Sequence, residues 1–586
     1  MDRRGFLSAL GALGGGLLVT WQAQAATFAK LGLSPIDVSG LRTDADRVFD
    51  LSISSADPSV TGVILWTHIR ESEVRASESL YLQVASDAQF SQLVLQAEVR
   101  PDQIGPERDF TVKLDLDGQL PATPAGGRFF YRFIYAGTVS RTGRCRTLPA
   151  SPNGVRRLKF GLATCQDFTN GYYGAWSHLA RDESLDFVLH LGDFIYETAG
   201  DPRFQSLPYA DRTIVLPSGG TVALDLADYR FIYRTIRGDR KLQAAMERHT
   251  FICVPDDHET ANDVYWDYAR DTLGAPDHPY TTDPKYGNSP ALLKQLKLDS
   301  QRAWTEYVPA RVSFNSAATH PFDALTVYRR FDFAGFLDLL MIENRTYRSA
   351  HPCGEGDYLQ RYAPLGCTQG DAGGRTLLGQ TQHNWLVDGL TTSRATWKLM
   401  GNQTYFGRLS LTPIASPLTP FNVDAWDGYG AERLAISAAL RQAAVKNFLV
   451  VTGDLHTHIA SDIKFDYTSP NLIDKANYLG AEFMTPSITS STLGELIAAD
   501  ADPAVRKLVV QGLVAPAVQA ANPHIRFFNS SSSGYSTLEL TDGYAEWISY
   551  AVDKTVDSAT ASRRCVARQR KYMSFPWLMP QSTWGY

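Results

Sequence analysis

The sequence is poor in the features that announce a partner by composition alone. It has no unbroken Lys/Arg run longer than two residues, and 56 basic against 62 acidic side chains leave a formal charge of −6 over 586 residues. So mild a balance implies neither nucleic acid nor an anionic membrane as an electrostatic partner. An anionic ligand would have to be drawn by something local, such as a metal ion. Repeats and low-complexity segments are missing, as are a Gly-x-Ser-x-Gly elbow and a Walker-type phosphate loop. Without an elbow, Ser487, Ser490 and Ser491 are poor candidates for a nucleophile. The one apolar run near the start, ending at about Thr20, is shorter than the roughly 20 residues of a spanning helix. What is abundant is core material: 44% hydrophobic and 11% aromatic residues, with 20% charged, the profile of a soluble globular chain. Its length exceeds what one hydrophobic core serves, so two domains are expected.

Residues 1–25 read as an export signal rather than as fold. Arg3-Arg4-Gly5-Phe6-Leu7 places a twin arginine before the apolar run, and Ala23-Gln24-Ala25 supplies small residues for cleavage after Ala25. The expected partner is the twin-arginine export machinery and the expected location periplasmic or secreted. That route carries proteins already folded, which suits a chain that collects metals before export. In an oxidising compartment Cys353 and Cys367, which bracket a loop, form the predicted disulfide; closing so short a ring contributes roughly 3 kcal/mol. Cys253, inside Phe251-Ile252-Cys253-Val254, reads as a small buried hydrophobe, while Cys145 and Cys565 have no evident role.

Two rhythms divide the remainder. Over residues 40–149, short alternating runs such as Gly62-Val63-Ile64-Leu65-Trp66-Thr67, Leu80-Tyr81-Leu82-Gln83-Val84 and Phe129-Phe130-Tyr131-Arg132-Phe133 predict a small β-sandwich of immunoglobulin type. A linker follows at Pro149-Ala150-Ser151-Pro152-Asn153-Gly154. Over 156–586, apolar runs at 158–163, 187–191, 250–254, 337–342, 397–400 and 448–451 alternate with helical patterns such as 381–390 and 431–444. That alternation predicts an α/β sandwich. The turn-rich stretch 199–224 reads as an insertion near the site.

Nearly every notable polar residue follows one of these runs, where α/β sheets collect ligand groups at strand carboxyl ends. Cys165 follows the first; Asp193, Tyr196 and Glu197 the second; Asp256, Asp257, His258 and Glu259 the third; Asn402, and then Asp454, His456 and His458, the later ones. Singly, each motif reads as a turn or a helix start. Together they are a metal-ligand inventory: carboxylates and an amide for hard cations, thiolate and imidazole for a transition metal. Asp193 is the natural bridge, Tyr196 is spaced to approach from the same turn as a ligand suited to ferric iron, and a metal would deprotonate a cysteine in that company. Asp256, Glu259 and His458 read as supporting or exposed groups, and His278, His320 and His351 as surface histidines.

These motifs resemble the alkaline phosphatase D (PhoD-like) family of calcineurin-like metallophosphoesterases. The resemblance extends over nearly the whole chain. It is carried by the twin arginine, Ala56-Asp57-Pro58, Ala163-Thr164-Cys165-Gln166, His190-Leu191-Gly192-Asp193-Phe194-Ile195-Tyr196-Glu197 and Asp256-Asp257-His258-Glu259. It continues through Arg375-Thr376-Leu377-Leu378-Gly379, Asp424-Ala425-Trp426-Asp427-Gly428-Tyr429, Thr452-Gly453-Asp454-Leu455-His456 and Asn522-Pro523-His524. It implies a metallophosphoesterase α/β sandwich that hydrolyses phosphate monoesters and diesters with a ferric ion (Fe3+) and calcium (Ca2+). By motif, Cys165, Asp193 and Tyr196 would hold iron, with Asp193 bridging to calcium. Asp257 and Asn402 would lie on the calcium side, Asp454 and His456 would complete the cluster, and His258 would meet the phosphoryl group. Two departures stand out: Glu343-Asn344-Arg345-Thr346-Tyr347-Arg348 replaces an Asp-Thr-Arg-Gln-Tyr-Arg run, and His458 adds an imidazole.

The expected function is that of an exported, metal-dependent phosphatase acting through metal-activated water. A phosphodiesterase or phospholipase D-like hydrolase is the enzymatic alternative. A calcium-stabilised surface binding protein is the alternative of another class.

Overall fold

The computed structural model describes residues 25–584 except 35, 201–208, 357, 363, 365–366, 368, 412–419 and 498–501. The export signal and part of the 199–224 stretch therefore lie outside the described residues. No helix among those described is long and apolar enough to cross a membrane.

The alternating runs at the start form strands as their period dictates. Leu80–Ala85, Leu93–Val99 and Arg128–Tyr135 belong to a six-stranded sheet. Leu80, Leu82, Val84, Phe129, Tyr131 and Phe133 lie in one core with Val63, Leu65, Val112 and Leu114, which come from the opposing strands Ile64–His68 and Thr111–Asp115 or their margin. This is the small β-sandwich.

Its second sheet does not stop there. Ile53–Ala56 pairs antiparallel with Ile64–His68 on one side and parallel with Thr250–Cys253 on the other, so the sheet continues into a ten-stranded sheet of the larger unit. Successive side chains of a strand point to opposite faces. Leu65 accordingly enters the sandwich core while Trp66 enters the main core, where its Nε1 donates to Glu306 O at 2.7 Å.

In the larger unit, Arg157–Ala163, Phe187–His190 and Thr250–Cys253 run parallel, with Ala163, His190 and Cys253 in register at their carboxyl ends. Leu337–Met341, Trp397–Gly401, Phe448–Thr452 and Tyr478–Met484 make a second parallel set in a seven-stranded sheet. The two sheets face each other: Phe483 stacks on Trp547 at 5.7 Å, and Trp397 Nε1 donates to Thr541 O across the gap. Leu339, Leu399, Leu449 and Val451 fill that central core. Leu340, Met400 and Val450 point outward onto Leu386, Leu390, Ile436 and Leu440 of the helices Gly379–Thr392 and Gly430–Gln442. Burial on both faces explains why these strands read as unbroken apolar runs. Each such side chain contributes about 1.5–3 kcal/mol by leaving water. On the other flank Asp225 and Asp239 cap the helices Leu226–Arg237 and Arg240–Arg248 by accepting backbone N–H bonds.

Cys353 and Cys367 form the predicted disulfide, and Cys253 is a buried free thiol, as are Cys145, Cys165 and Cys565. The 199–224 excursion returns beside Glu197, whose carbonyl accepts from Ala223 N at 2.8 Å.

Candidate metal centre

The loops that leave the strand ends turn sharply. Cys165, Asp193, Asp454 and His456 all have positive φ, between 51° and 66°, in the left-handed region that costs a side-chain-bearing residue of order 1 kcal/mol. Gly192, at φ +107°, is required: a Cβ there would lie 2.4 Å from that of Asp256. These turns bring Cys165, Asp193 and His456 together and set Asp454 against the neighbouring acids Asp256 and Asp257.

Three sets of ligand atoms result. Cys165, Asp193 and His456 form the first, Asp193, Asp257 and His258 the second, and Asp256, Asp257 and Asp454 the third; within each, the atoms lie within 4.8 Å of one another. Asp193 belongs to the first two sets and Asp257 to the last two, so the carboxylates of 193, 257 and 454 are linked through Asp257. Tyr196 stands at the first set, its Oη donating to Asp193 Oδ2 at 2.9 Å and lying 3.2 Å from His456 Nε2. Asn402 is wholly buried, its Oδ1 accepting from Asn344 Nδ2 at 3.3 Å and its Nδ2 donating to Thr404 O at 2.5 Å.

Neighbours fix these groups. His456 Nδ1 lies 2.6 Å from Ser491 O, which places its hydrogen there and leaves Nε2 its lone pair for the first set. His258 Nδ1 lies 2.7 Å from Glu197 Oε2. Ser490 Oγ donates to Tyr196 Oη at 2.7 Å, and Glu259 accepts from the backbone N–H groups of Asp193, Phe194 and Asp256.

The electrostatics are those of acids crowded in a dry place. Burial, reinforced by neighbouring carboxylates, pushes Asp193 well above the usual carboxylate range, and Cys165 and Tyr196 are pushed well up by burial and by Asp193. Asp256 and Glu259 are raised to about 7, again chiefly by burial. Burial acts against the charged His258 imidazole, yet Glu197, Asp257 and Asp193 outweigh it and hold its pKa well above the ordinary value. Asp193 Oδ1 and Asp256 Oδ2 are buried without a hydrogen-bond partner among the described residues. Such oxygens are costly unless a cation meets them. The donors fit ions of two kinds, softer around Cys165 and His456 and harder around the carboxylates.

Some expectations need correcting. Asp256 is buried in the third set rather than a supporting or exposed group, whereas Glu259 is, as one of its two readings had it, a supporting group, buried and bracing two loops. His458 joins no set: it is a core imidazole 2.7 Å from Ser549 Oγ and 2.9 Å from Ser532 O. His278 and His351 are not surface residues. His278 Nε2 is buried against Ala223 O, and His351 lies between Glu355 and Asp424. Only His320 of that trio is partly exposed. Arg345 and Asp424 were missed as parts of the site. Arg345 follows the Leu337–Met341 strand as the ligands follow theirs, but a guanidinium is no metal ligand and a search for ligand types passes over it.

Comparison with known proteins gives the family and the fold. The PhoD-like phosphatase model matches residues 160–547, and the model for the PhoD-like phosphatase N-terminal domain matches residues 37–149. Alkaline phosphatase D of Bacillus subtilis (strain 168) is 28% identical over 546 residues, covering 92% of this chain and 82% of that protein. The solved structure of PhoD shares the fold, with a TM-score of 0.73 at 24% identity and 92% of each chain covered. The binding-protein alternative gives way to an enzyme, for the chain belongs to the PhoD-like phosphatase family and is a phosphoric ester hydrolase.

Proposed function

We propose that this is an exported, metal-dependent alkaline phosphatase that hydrolyses phosphate monoesters, and diesters more slowly. The observation that carries the reading is that Asp193 stands in two ligand sets, with Cys165 and His456 in one and with Asp257 in the other, where His258 lies beside them. We assign ferric iron to Cys165, Asp193, Tyr196 and His456, and calcium to Asp193, Asp257, Asn402 and Asp454. When bound, such ions acidify water and neutralise phosphoryl oxygens.

The chain's own groups do the rest. Glu197 fixes Nδ1 of His258, so Nε2 is the atom that donates a hydrogen bond to the phosphoryl group or a proton to the leaving alkoxide. Glu259 and Ser490 keep the Asp193 turn and Tyr196 in place. Cleavage after Ala25 and export by the twin-arginine route complete the proposal; N-terminal sequencing of periplasmic protein checks it, and a retained Met1 would contradict it.

Activity is tested with p-nitrophenyl phosphate, bis(p-nitrophenyl) phosphate and a phospholipid, before and after dialysis against a chelator. The expected result is a monoester rate above both others that vanishes on chelation and returns with metal. A diester or phospholipid rate above the monoester rate would move the enzyme to the diesterase reading, and activity indifferent to chelation would end the metal assignment.

A further inference from the structure

We infer that Arg345 is a resident cation: a positioning residue whose guanidinium keeps the acidic side of the site assembled before any ion arrives. The inference rests on the metal-dependent reading above and adds a role for a residue that holds no ion.

Arg345 is completely buried and contacts four carboxylates brought in by three separate stretches of chain. Its Nε donates to Asp256 Oδ1, its Nη1 to Asp424 Oδ2 at 2.6 Å, and its Nη2 to Asp454 Oδ1 at 2.8 Å, with Asp257 Oδ1 at 3.6 Å. Each of the three nitrogens serves a different carboxylate, which the planar fork of arginine permits and the single ammonium of lysine does not. All three members of the Asp256, Asp257 and Asp454 set are thereby touched by one cation of the chain itself.

Without it Asp256, Asp257 and Asp454 would face one another without its charge, while Asp424 would keep Arg348 and His351. Two unit charges 4 Å apart interact by about 4 kcal/mol at an effective dielectric of 20, and repulsion on that scale would drive the 256–257 and 454 loops apart. The other nearby guanidinium does not substitute at the three-acid set, because Arg348 serves Asp424, through Oδ1 and through the carbonyl oxygen at 3.1 Å. Asp257 is the loosest of the four contacts. Its Oδ2 is steadied instead by Asp263 N at 2.7 Å, so it remains available to the set it shares with Asp193.

The local sequence is built to deliver this arginine. Glu343 Oε1 accepts from the backbone N–H groups of Arg345 at 2.8 Å and Thr346 at 2.9 Å. Gln382 clamps Glu343 from both sides, accepting from its N–H at 2.8 Å and donating to its carbonyl at 2.7 Å. The Glu343 carboxylate thus shapes the turn that aims Arg345.

The test compares metal-replete wild-type protein with Arg345→Ala and Arg345→Lys, following the thermal midpoint before and after chelation and its recovery on titration with calcium. The wild type should lose stability on chelation, but less than the alanine variant, because Arg345 still holds three of its acids. Arg345→Ala should drop at least twice as far, and its half-recovery calcium concentration should rise about 10- to 100-fold, as for other groups that orient ligands. Arg345→Lys should fall between the two. Equal chelation shifts and equal calcium titrations in all three proteins would overturn the inference, reducing Arg345 to ordinary core packing. If the alanine variant does not fold even with metal, the lysine variant decides by the same two readouts. A wild type with no bound metal and no response to chelation would overturn the metal-dependent reading itself, and this inference with it.

Discussion

Where the N-terminal strands join the larger sheet, the protein buries cations among neutral partners; at the strand ends around Asp193 it buries anions, two of whose oxygens find no partner. At the junction Lys113 Nζ donates to the carbonyls of Thr305, Ala310 and Val312 at 3.2–3.4 Å, and burial pulls its pKa down to about 8. Arg237 lies 3.7 Å over the Trp66 ring and donates to Tyr307 O and Ser54 Oγ, with burial lowering it to about 9. At the strand ends the shifts run the other way: burial pushes Asp193 and Asp454 well up, and Asp256 and Glu259 to about 7. Carbonyl oxygens, present at every residue, can solvate a buried cation. A buried anion needs N–H donors, which Glu259 finds and Asp193 Oδ1 does not. At the junction Arg237 leaves a donor, Nε, without a partner among the described residues, whereas the strand ends leave acceptors, a deficit of positive charge that Arg345 meets only in part.

The comparison breaks most sharply at Asp193. Asp193→Asn removes the carboxylate common to two ligand sets, and turnover should fall at least ~10³-fold, the several kcal/mol that metal ions supply to charge stabilisation. Elemental analysis should record metal loss in the same variant, and full metal content with full activity would contradict the assignment. Next in size, His258→Ala should lower turnover by about 10²- to 10⁴-fold as a lost acid–base group, with metal content nearly intact. Loss of metal there would make His258 a ligand instead.

The junction side is tested by pH. Folded Lys113, with its pKa depressed to about 8 from 10.5, binds fewer protons than the unfolded chain across that window, so stability rises with pH between those values. The full shift corresponds to about 3 kcal/mol. Lys113→Met should remove that slope, and urea unfolding at pH 8, 9 and 10 should show its stability difference from wild type changing steadily; parallel curves would refute the account. Smallest is the joint Cys353→Ser and Cys367→Ser change, expected to cost no more than about 3 kcal/mol by freeing a short ring. That ring encloses Arg361, which holds Asp263 at 2.7 Å, so calcium affinity should weaken slightly as well. Unchanged urea unfolding would count against this estimate.

Much of this was legible in the residues. The strand at 448–452 is read from Phe448-Leu449-Val450-Val451 because both faces of a central strand are apolar, and Asp454 is read from its place just beyond it. What escaped depends on partners far along the chain. Nothing local in Ile53–Ala56 announces pairing with Thr250–Cys253, and nothing around His351 announces Asp424. Arg345 escaped for a chemical reason, since a ligand inventory counts donors to metals and not cations that stand beside them.

Anomalous diffraction from crystals grown with phosphate, collected on and off the iron edge, tests the central claim most directly. The account expects an iron peak in bonding contact with Cys165, Asp193 and Tyr196, a lighter ion sharing Asp193 with Asp257, and phosphate beside His258. A map with no ion on Asp193, and phosphate bound elsewhere, would contradict it.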